Sequence, residues 1–95
     1  MPAEEATLKC VIAWSDRRQL GGLVEEALAA RVESAETVRL NDDSCVVHTS
    51  ASVSDVRDWL VAGLQPGESL LVFEFERWSG YGTGVESNWL RRRGH

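Results

Sequence analysis

Short runs of branched and aromatic apolar residues alternate along the chain with segments whose apolar positions recur every three or four residues. The run Thr7–Trp14 (TLKCVIAW) is typical of a β-strand, as are residues 37–40, Ser44–Thr49 and residues 69–78. Residues 41–43 (Asn-Asp-Asp) separate the second and third runs and predict a β-hairpin turn. The apolar runs therefore predict four strands, two of them in a hairpin.

The helical periodicity predicts two α-helices, one after the first strand and one after the third. The first begins at an N-cap supplied by Ser15 or Asp16 and runs to about Val32. The second begins at Ser52, where Asp55 completes a variant of the capping box, and it ends before the Pro-Gly pair at 66–67.

The order β-α-β-β-α-β predicts an α+β domain, a ferredoxin-like βαββαβ sandwich. Its single antiparallel sheet has strand order 4-1-3-2, with both helices on one face. A chain of 95 residues suits one domain, with a core over residues 7–78 and a tail over 79–95 that is rich in glycine, aromatic residues and arginine. The predicted core residues are Val24, Leu28, Val56, Trp59, Leu60, Phe73 and Phe75.

Side chains alternate across a strand, so each strand contributes to two faces of the sheet. The bulky Leu71, Phe73 and Phe75 are assigned to the face under the helices. The opposite, open face is assigned an apolar centre and a charged rim, a composition typical of an interface. The centre comprises Val11, Ala13, Val46 and Val72, and the rim comprises Lys9, Arg39, His48, Glu74 and Glu76.

The formal net charge of -5 is unevenly distributed. Residues 77–95 carry about +3 (four arginines and one glutamate), which leaves about -8 for the remainder (six basic and fourteen acidic residues). An acidic body disfavours nucleic acid as a partner, because binding to phosphates requires clustered basic residues. We expect Arg91, Arg92 and Arg93 to contact phosphate or an acidic surface, such as Glu74 and Glu76.

No apolar run approaches the length of a membrane span, and the first residues lack the features of a signal peptide. We therefore expect a cytoplasmic protein that has no membrane partner. Cys10 and Cys45 lie in strand-like runs without CxxC spacing and are predicted to be structural. We expect no cofactor.

The tail carries more aromatic surface than a disordered terminus normally does. Residues 80–84 (GYGTG) favour a flexible turn over a nucleotide-binding loop, and residues 86–90 predict a short helical turn. The apolar residues Trp78, Tyr81, Trp89 and Leu90 are predicted to contribute to a homodimer interface. In the competing arrangement the tail folds back on its own sheet and leaves a monomer.

A family resemblance rests on a series of features taken together. The first strand ends in Trp14-Ser15-Asp16, the third ends in VVHTS (46–50), and the second helix carries SDVRDWL (54–60). The last strand reads ESLLVFEF (68–75) and is followed by an aromatic-glycine stretch and Asn88-Trp89-Leu90. Over residues 7–90 the chain resembles the SinR-like proteins, relatives of the small CRISPR-associated Cas-two nucleases.

The resemblance implies a ferredoxin-like homodimer. In the nuclease branch, an aspartate that follows an aromatic residue at the end of the first strand holds a metal ion. Here Ser15 occupies that position and the carboxylate of Asp16 comes one residue later. The metal would be Mg²⁺ or Mn²⁺ shared by Asp16 of two subunits, and Asp16 as a helix N-cap is the alternative.

His48 is a further candidate for catalysis. We expect the first and third strands to be parallel neighbours, which places the imidazole of His48 at the same end of the sheet as Ser15 and Asp16. A satisfied residue at a strand end is the alternative role for this histidine.

Three functions remain open from the sequence. The first is a non-catalytic homodimeric interaction module, which the serine after Trp14 favours. The second is a metal-dependent nuclease that acts on RNA or DNA at the dimer axis. The third is an acidic inhibitor, or decoy, that binds a basic nucleic-acid-binding protein. Whether the protein is an enzyme stays open, and the departures from the nuclease motif favour no catalysis.

Overall fold

The computed structural model describes residues 5–93 of the chain. Its elements are β1 (Thr7–Trp14), α1 (Gly21–Ala29), β2 (Thr37–Asn41), β3 (Ser44–Thr49), α2 (Val53–Val61), β4 (Ser69–Phe75) and α3 (Ser87–Arg91), with 3-10 turns at Ser34–Glu36 and Thr83–Val85. The strands form one sheet in the order β2-β3-β1-β4, and each neighbouring pair is antiparallel. The predicted α+β class, antiparallel sheet and strand order are confirmed.

The main core lies between the sheet and the two longer helices. It comprises the buried residues Val11, Ala13, Leu20, Val24, Leu28, Cys45, Val47, Val56 and Leu60. Trp59 is partly buried against this cluster. Burial raises the pKa of the Cys45 thiol to about 11, as expected for a structural cysteine. Of the predicted core residues, Val24, Leu28, Val56 and Leu60 are in this main core, as the helical periodicity indicated.

Helix α1 begins later than predicted, because the chain after β1 is held as a loop. Leu20 is its N-cap and makes no side-chain cap bond, so neither Ser15 nor Asp16 caps it. The backbone N–H of Gly21 donates to the carbonyl of Asp42 at 2.7 Å. A Cβ on Gly21 would lie 2.5 Å from that oxygen, so only glycine lets the helix meet the hairpin turn this closely.

Helix α2 begins as the capping motif predicted. The hydroxyl of Ser52 accepts a hydrogen bond from the backbone N–H of Asp55 at 3.0 Å. After the helix, Gly67 adopts a φ of +87°, which a residue with a side chain rarely tolerates, and β4 begins at Ser69. Strand β4 ends at Phe75 rather than at Trp78.

The predicted assignment of faces is wrong for β1 and β4. Val11 pairs with Val72, and both lie on the helix side of the sheet with Ala13. Phe73 and Phe75 lie on the opposite face, where Phe73 is 41% exposed and therefore does not belong to the main core. Strand β4 is apolar on both faces, so its alternation does not indicate which face the helices cover.

A buried lysine explains the error on β1. Lys9 was expected on the open face, yet it is 2% exposed and shares the helix side with Val47, its partner across the strands. Its ammonium group donates to the carbonyl of Thr49 at 2.7 Å and lies 3.5 Å from the carboxylate of Glu74. Arg39 pairs with Cys45 and also lies on the helix side.

Candidate functional site: the open face of the sheet

The candidate catalytic residues lie at opposite ends of β1. Because β3 runs antiparallel to β1, His48 pairs with Leu8, whereas Ser15 and Asp16 follow the other end of the strand. Seven residues of strand separate Leu8 from Ser15, a distance of roughly 20 Å. The prediction that His48 joins Ser15 and Asp16 is wrong, because the hairpin reverses the chain between β2 and β3.

Asp16 is exposed in the loop between β1 and α1. The neighbouring Ser15 accepts a hydrogen bond from the backbone N–H of Arg17 at 3.1 Å. Within residues 5–93, no group of three or more His, Cys, Asp or Glu side chains is placed to hold a metal ion. A metal at Asp16 would therefore need ligands from outside this part of one chain.

The arginines after Asp16 hold this loop against the α2–β4 connection. Arg18 donates to both carboxylate oxygens of Glu68, at 2.8 and 2.7 Å, and Arg17 donates to the carbonyl of Pro66 at 2.6 Å. The hydrogen bond from Arg18, followed by one from the backbone N–H of Gln65, lowers the pKa of the Glu68 carboxyl to about 2. This contact joins residues fifty positions apart, and no local sequence signal pairs them.

The C-terminal segment, residues 78–93, folds back on the open face of its own sheet. Leu90 on α3 is 4% exposed and forms a cluster with Leu8 on β1 and Val46 on β3. Trp78 and Trp89 pack against the same cluster. We call this part of the face the covered half. The folded-back arrangement, which the sequence left open, is the one observed.

An electrostatic cluster secures α3 at the edge of the sheet. The guanidinium of Arg93 lies 3.9 Å from the ring centroid of Trp89 and donates from Nε to Glu36 at 3.3 Å. It also donates to the carbonyl of Ala35, which accepts a second bond from the Trp89 indole at 2.9 Å. His48 lies 2.9 Å from Glu36, and this hydrogen bond, with the charge of Arg93 as a lesser cause, lowers the pKa of Glu36.

Arg93 therefore pairs with Glu36, whereas Glu74, its predicted partner, pairs with Lys9. Arg91 and Arg92 are exposed. Glu36 belongs to the 3-10 turn that leads into β2, the strand at the opposite edge of the sheet from β4.

The remainder of the open face carries apolar side chains that the described part of the chain leaves exposed. Leu71 is 50% exposed, Trp14 47% and Phe73 41%, and Ile12 lies between them opposite Leu71. These four residues form the uncovered half. Monomeric proteins scatter single exposed apolar residues, but a contiguous group on a sheet indicates contact with a partner.

Most of the predicted interface residues do not lie on the exposed part of the open face. Val11, Ala13 and Val72 lie under the helices, and Val46 lies on the open face beneath the protein's own C-terminal segment. Tyr81 is 98% exposed. The residues that the sequence analysis missed are those of the uncovered half. Alternation places Ile12 with Trp14 and Leu71 with Phe73 on one face each, but it does not tell which face the helices leave open.

No protein-family model, curated protein or solved structure matches the chain. In the part of the chain that the structure describes, the helices are too short and too polar for any of them to cross a membrane.

Proposed function

We propose that this protein is a non-catalytic interaction module that works as a homodimer, with a ferredoxin-like fold of the kind found in SinR-like proteins. The element order of the first six elements and the strand order β2-β3-β1-β4 support this fold assignment. Of the functions considered, dimerisation is the one supported by a feature of the surface, the exposed apolar residues of the uncovered half.

The uncovered half is the observation that carries the proposal. Trp14, Leu71 and Phe73 expose apolar surface next to a half of the same face that is already covered. A second copy would bury this surface, and aromatic residues dominate the energy of such interfaces. Two copies related by a twofold axis would bury the same patch, including Leu71 and Phe73, on each subunit.

The edges of the sheet favour the same location. Strand β2 is short, and its pairing with β3 is irregular between Arg39 and Asn41. Strand β4 pairs regularly with β1 from Ser69 to Phe75, and its other edge has no strand beside it in the described chain. A regular apolar edge is a surface that soluble proteins normally protect, and a dimer that extends over β4 protects it.

The charges support a protein partner over a nucleic acid. The chain carries a net charge of -5, and Arg17 and Arg18 are engaged with Pro66 and Glu68. Arg93 is similarly engaged with Glu36. Arg91 and Arg92 are exposed, but the net negative charge of the molecule opposes the approach of a phosphate backbone.

Sedimentation equilibrium of matched variants tests the proposal. We expect the wild-type protein to sediment at twice its monomer mass of 10.5 kDa at micromolar concentration. Leu71→Asp should convert it to the monomer, because each interface would bury two unpaired carboxylates. Val61→Asp is the matched control, since Val61 on α2 is 51% exposed and Leu71 is 50% exposed.

A monomeric wild-type protein at high micromolar concentration would end the dimer proposal. A dimer that survives Leu71→Asp but dissociates in Val61→Asp would place the interface on the helices instead.

A further inference from the structure

A cleft lies between the open face and the C-terminal segment, and it has a volume of about 270 Å³. The sheet side is lined by Cys10, Leu40, Val46, Phe73 and Phe75, and the segment side by Trp78, Ser79, Val85 and Leu90. Apart from one thiol, one hydroxyl and one indole nitrogen, these side chains present hydrocarbon. A cleft of this size and character suits a small ligand with an apolar body.

Two polar features give the cleft a charge preference. Arg77 also lines it and brings a permanently charged guanidinium to the cleft. The indole Nε1–H of Trp78 is buried and has no acceptor in the same part of the chain. Both groups are donors, and a carboxylate is an acceptor that carries the charge complementary to Arg77.

We propose that this cleft binds a small amphiphilic carboxylate, with its hydrocarbon body against Val46, Phe75 and Leu90 and its carboxylate on Arg77. The cleft is formed within one chain, but it shares Phe73 with the uncovered half, so binding is compared in the wild type and in Leu71→Asp, the variant expected to be monomeric. Arg93, at the other end of the C-terminal segment, is not an alternative partner for the carboxylate, because Glu36 holds its guanidinium.

Octanoate and octanol are suitable probes, because they share an alkyl chain and differ in the charged group. Isothermal titration calorimetry on the full-length protein should show binding of octanoate at least about tenfold tighter than binding of octanol, as a charge-assisted hydrogen bond implies. Arg77→Gln should remove this difference by weakening octanoate alone. Arg92→Gln, at an exposed arginine of the C-terminal segment, should leave both affinities unchanged.

The thiol of Cys10 provides a second readout of the same site. Octanoate should slow its alkylation by iodoacetamide, measured by peptide mass spectrometry, while Cys45 in the main core should show no protection. Val85→Trp fills the cleft from the segment side and should abolish binding of both probes. Its circular dichroism spectrum would verify that the fold is retained.

The proposal is overturned if neither probe binds at millimolar concentration. It is also overturned if octanoate and octanol bind equally, or if Arg77→Gln and Arg92→Gln have the same effect. Protection of Cys45 without protection of Cys10 would place any bound octanoate in the helix-side core and would equally contradict it.

Discussion

At the scale of single residues, the structure shows structural roles for several charged and small side chains that the sequence did not predict. Asp16 is neither a helix cap nor a member of a metal cluster in the described chain. Gly21 permits a close backbone contact, and Glu68 receives the arginines that follow Asp16. These roles depend on residues far apart in the chain, which explains why local patterns did not predict them.

The two glycines at the start of α1 should respond differently to alanine. Gly21→Ala should destabilise the protein by about 1–3 kcal/mol, because the new Cβ would overlap the carbonyl oxygen of Asp42. Gly22→Ala is the matched control, since its Cβ would lie 3.6 Å from the Arg39 guanidinium, an ordinary contact. It should be neutral or stabilise the helix by up to about 1 kcal/mol. Urea unfolding measures both, and equal effects would show that Gly21 is not needed for the contact.

The ion pair between Arg18 and Glu68 should make stability depend on pH in the acid range. Because the folded-state pKa of Glu68 is about 2, below its unfolded value of about 4.3, its contribution is complete above pH 4.3 or so and is lost as the pH falls toward 2. We expect the urea midpoint of Glu68→Gln to lie below that of the wild type at neutral pH and to converge with it in acid. Glu26→Gln, at an exposed residue of α1, is the control. A difference that stays constant down to pH 2 would contradict this assignment.

Asp16 should be dispensable for folding. Asp16→Ala should change the free energy of unfolding by no more than about 0.5 kcal/mol, because the side chain is exposed and caps no helix. We also expect no Mg²⁺-dependent or Mn²⁺-dependent cleavage of RNA or DNA by the wild-type protein. Metal-dependent turnover that disappears in Asp16→Ala would support the nuclease alternative instead.

At the scale of elements, the sequence predicted most of the chain order and failed at the faces of the sheet. The limits of β1, the hairpin and the cap of α2 agree with the apolar runs and turn residues. Alternation divides a strand into two faces but does not say which one the helices cover. Lys9 led to the wrong assignment for β1, because its charge suggested the open face. The lysine instead lies at the end of the buried face and extends its ammonium group to Thr49 and Glu74.

The attachment of α3 should contribute substantially to stability. Leu90→Ala should destabilise the protein by about 2–5 kcal/mol, because the side chain is 4% exposed against Leu8 and Val46. The loss should be the same at low and high protein concentration, since these contacts lie within one chain. Arg92→Ala is the exposed control. A loss that grows on dilution would indicate that the segment packs on a partner subunit.

At the scale of the whole molecule, the two faces of the sheet are covered by different elements and to different extents. The helix side is covered by α1 and α2, whereas the open side is covered in part by the C-terminal segment. The uncovered half, with Trp14, Leu71 and Phe73, could not be located from the sequence, because exposure depends on how far the segment extends over the sheet. The exposure of these side chains is therefore a property of the folded chain and not of any one strand.

The backward fold of the C-terminal segment also has a consequence for biosynthesis. Because the chain leaves the ribosome from its N-terminal side, β4 emerges before α3, and Leu8 and Val46 are bare until α3 follows. During that interval the chain presents an apolar strip of the kind that chaperones bind and proteases attack. A chain interrupted between β4 and α3 would retain this strip permanently. Quality control could then distinguish it from a finished chain by that surface alone.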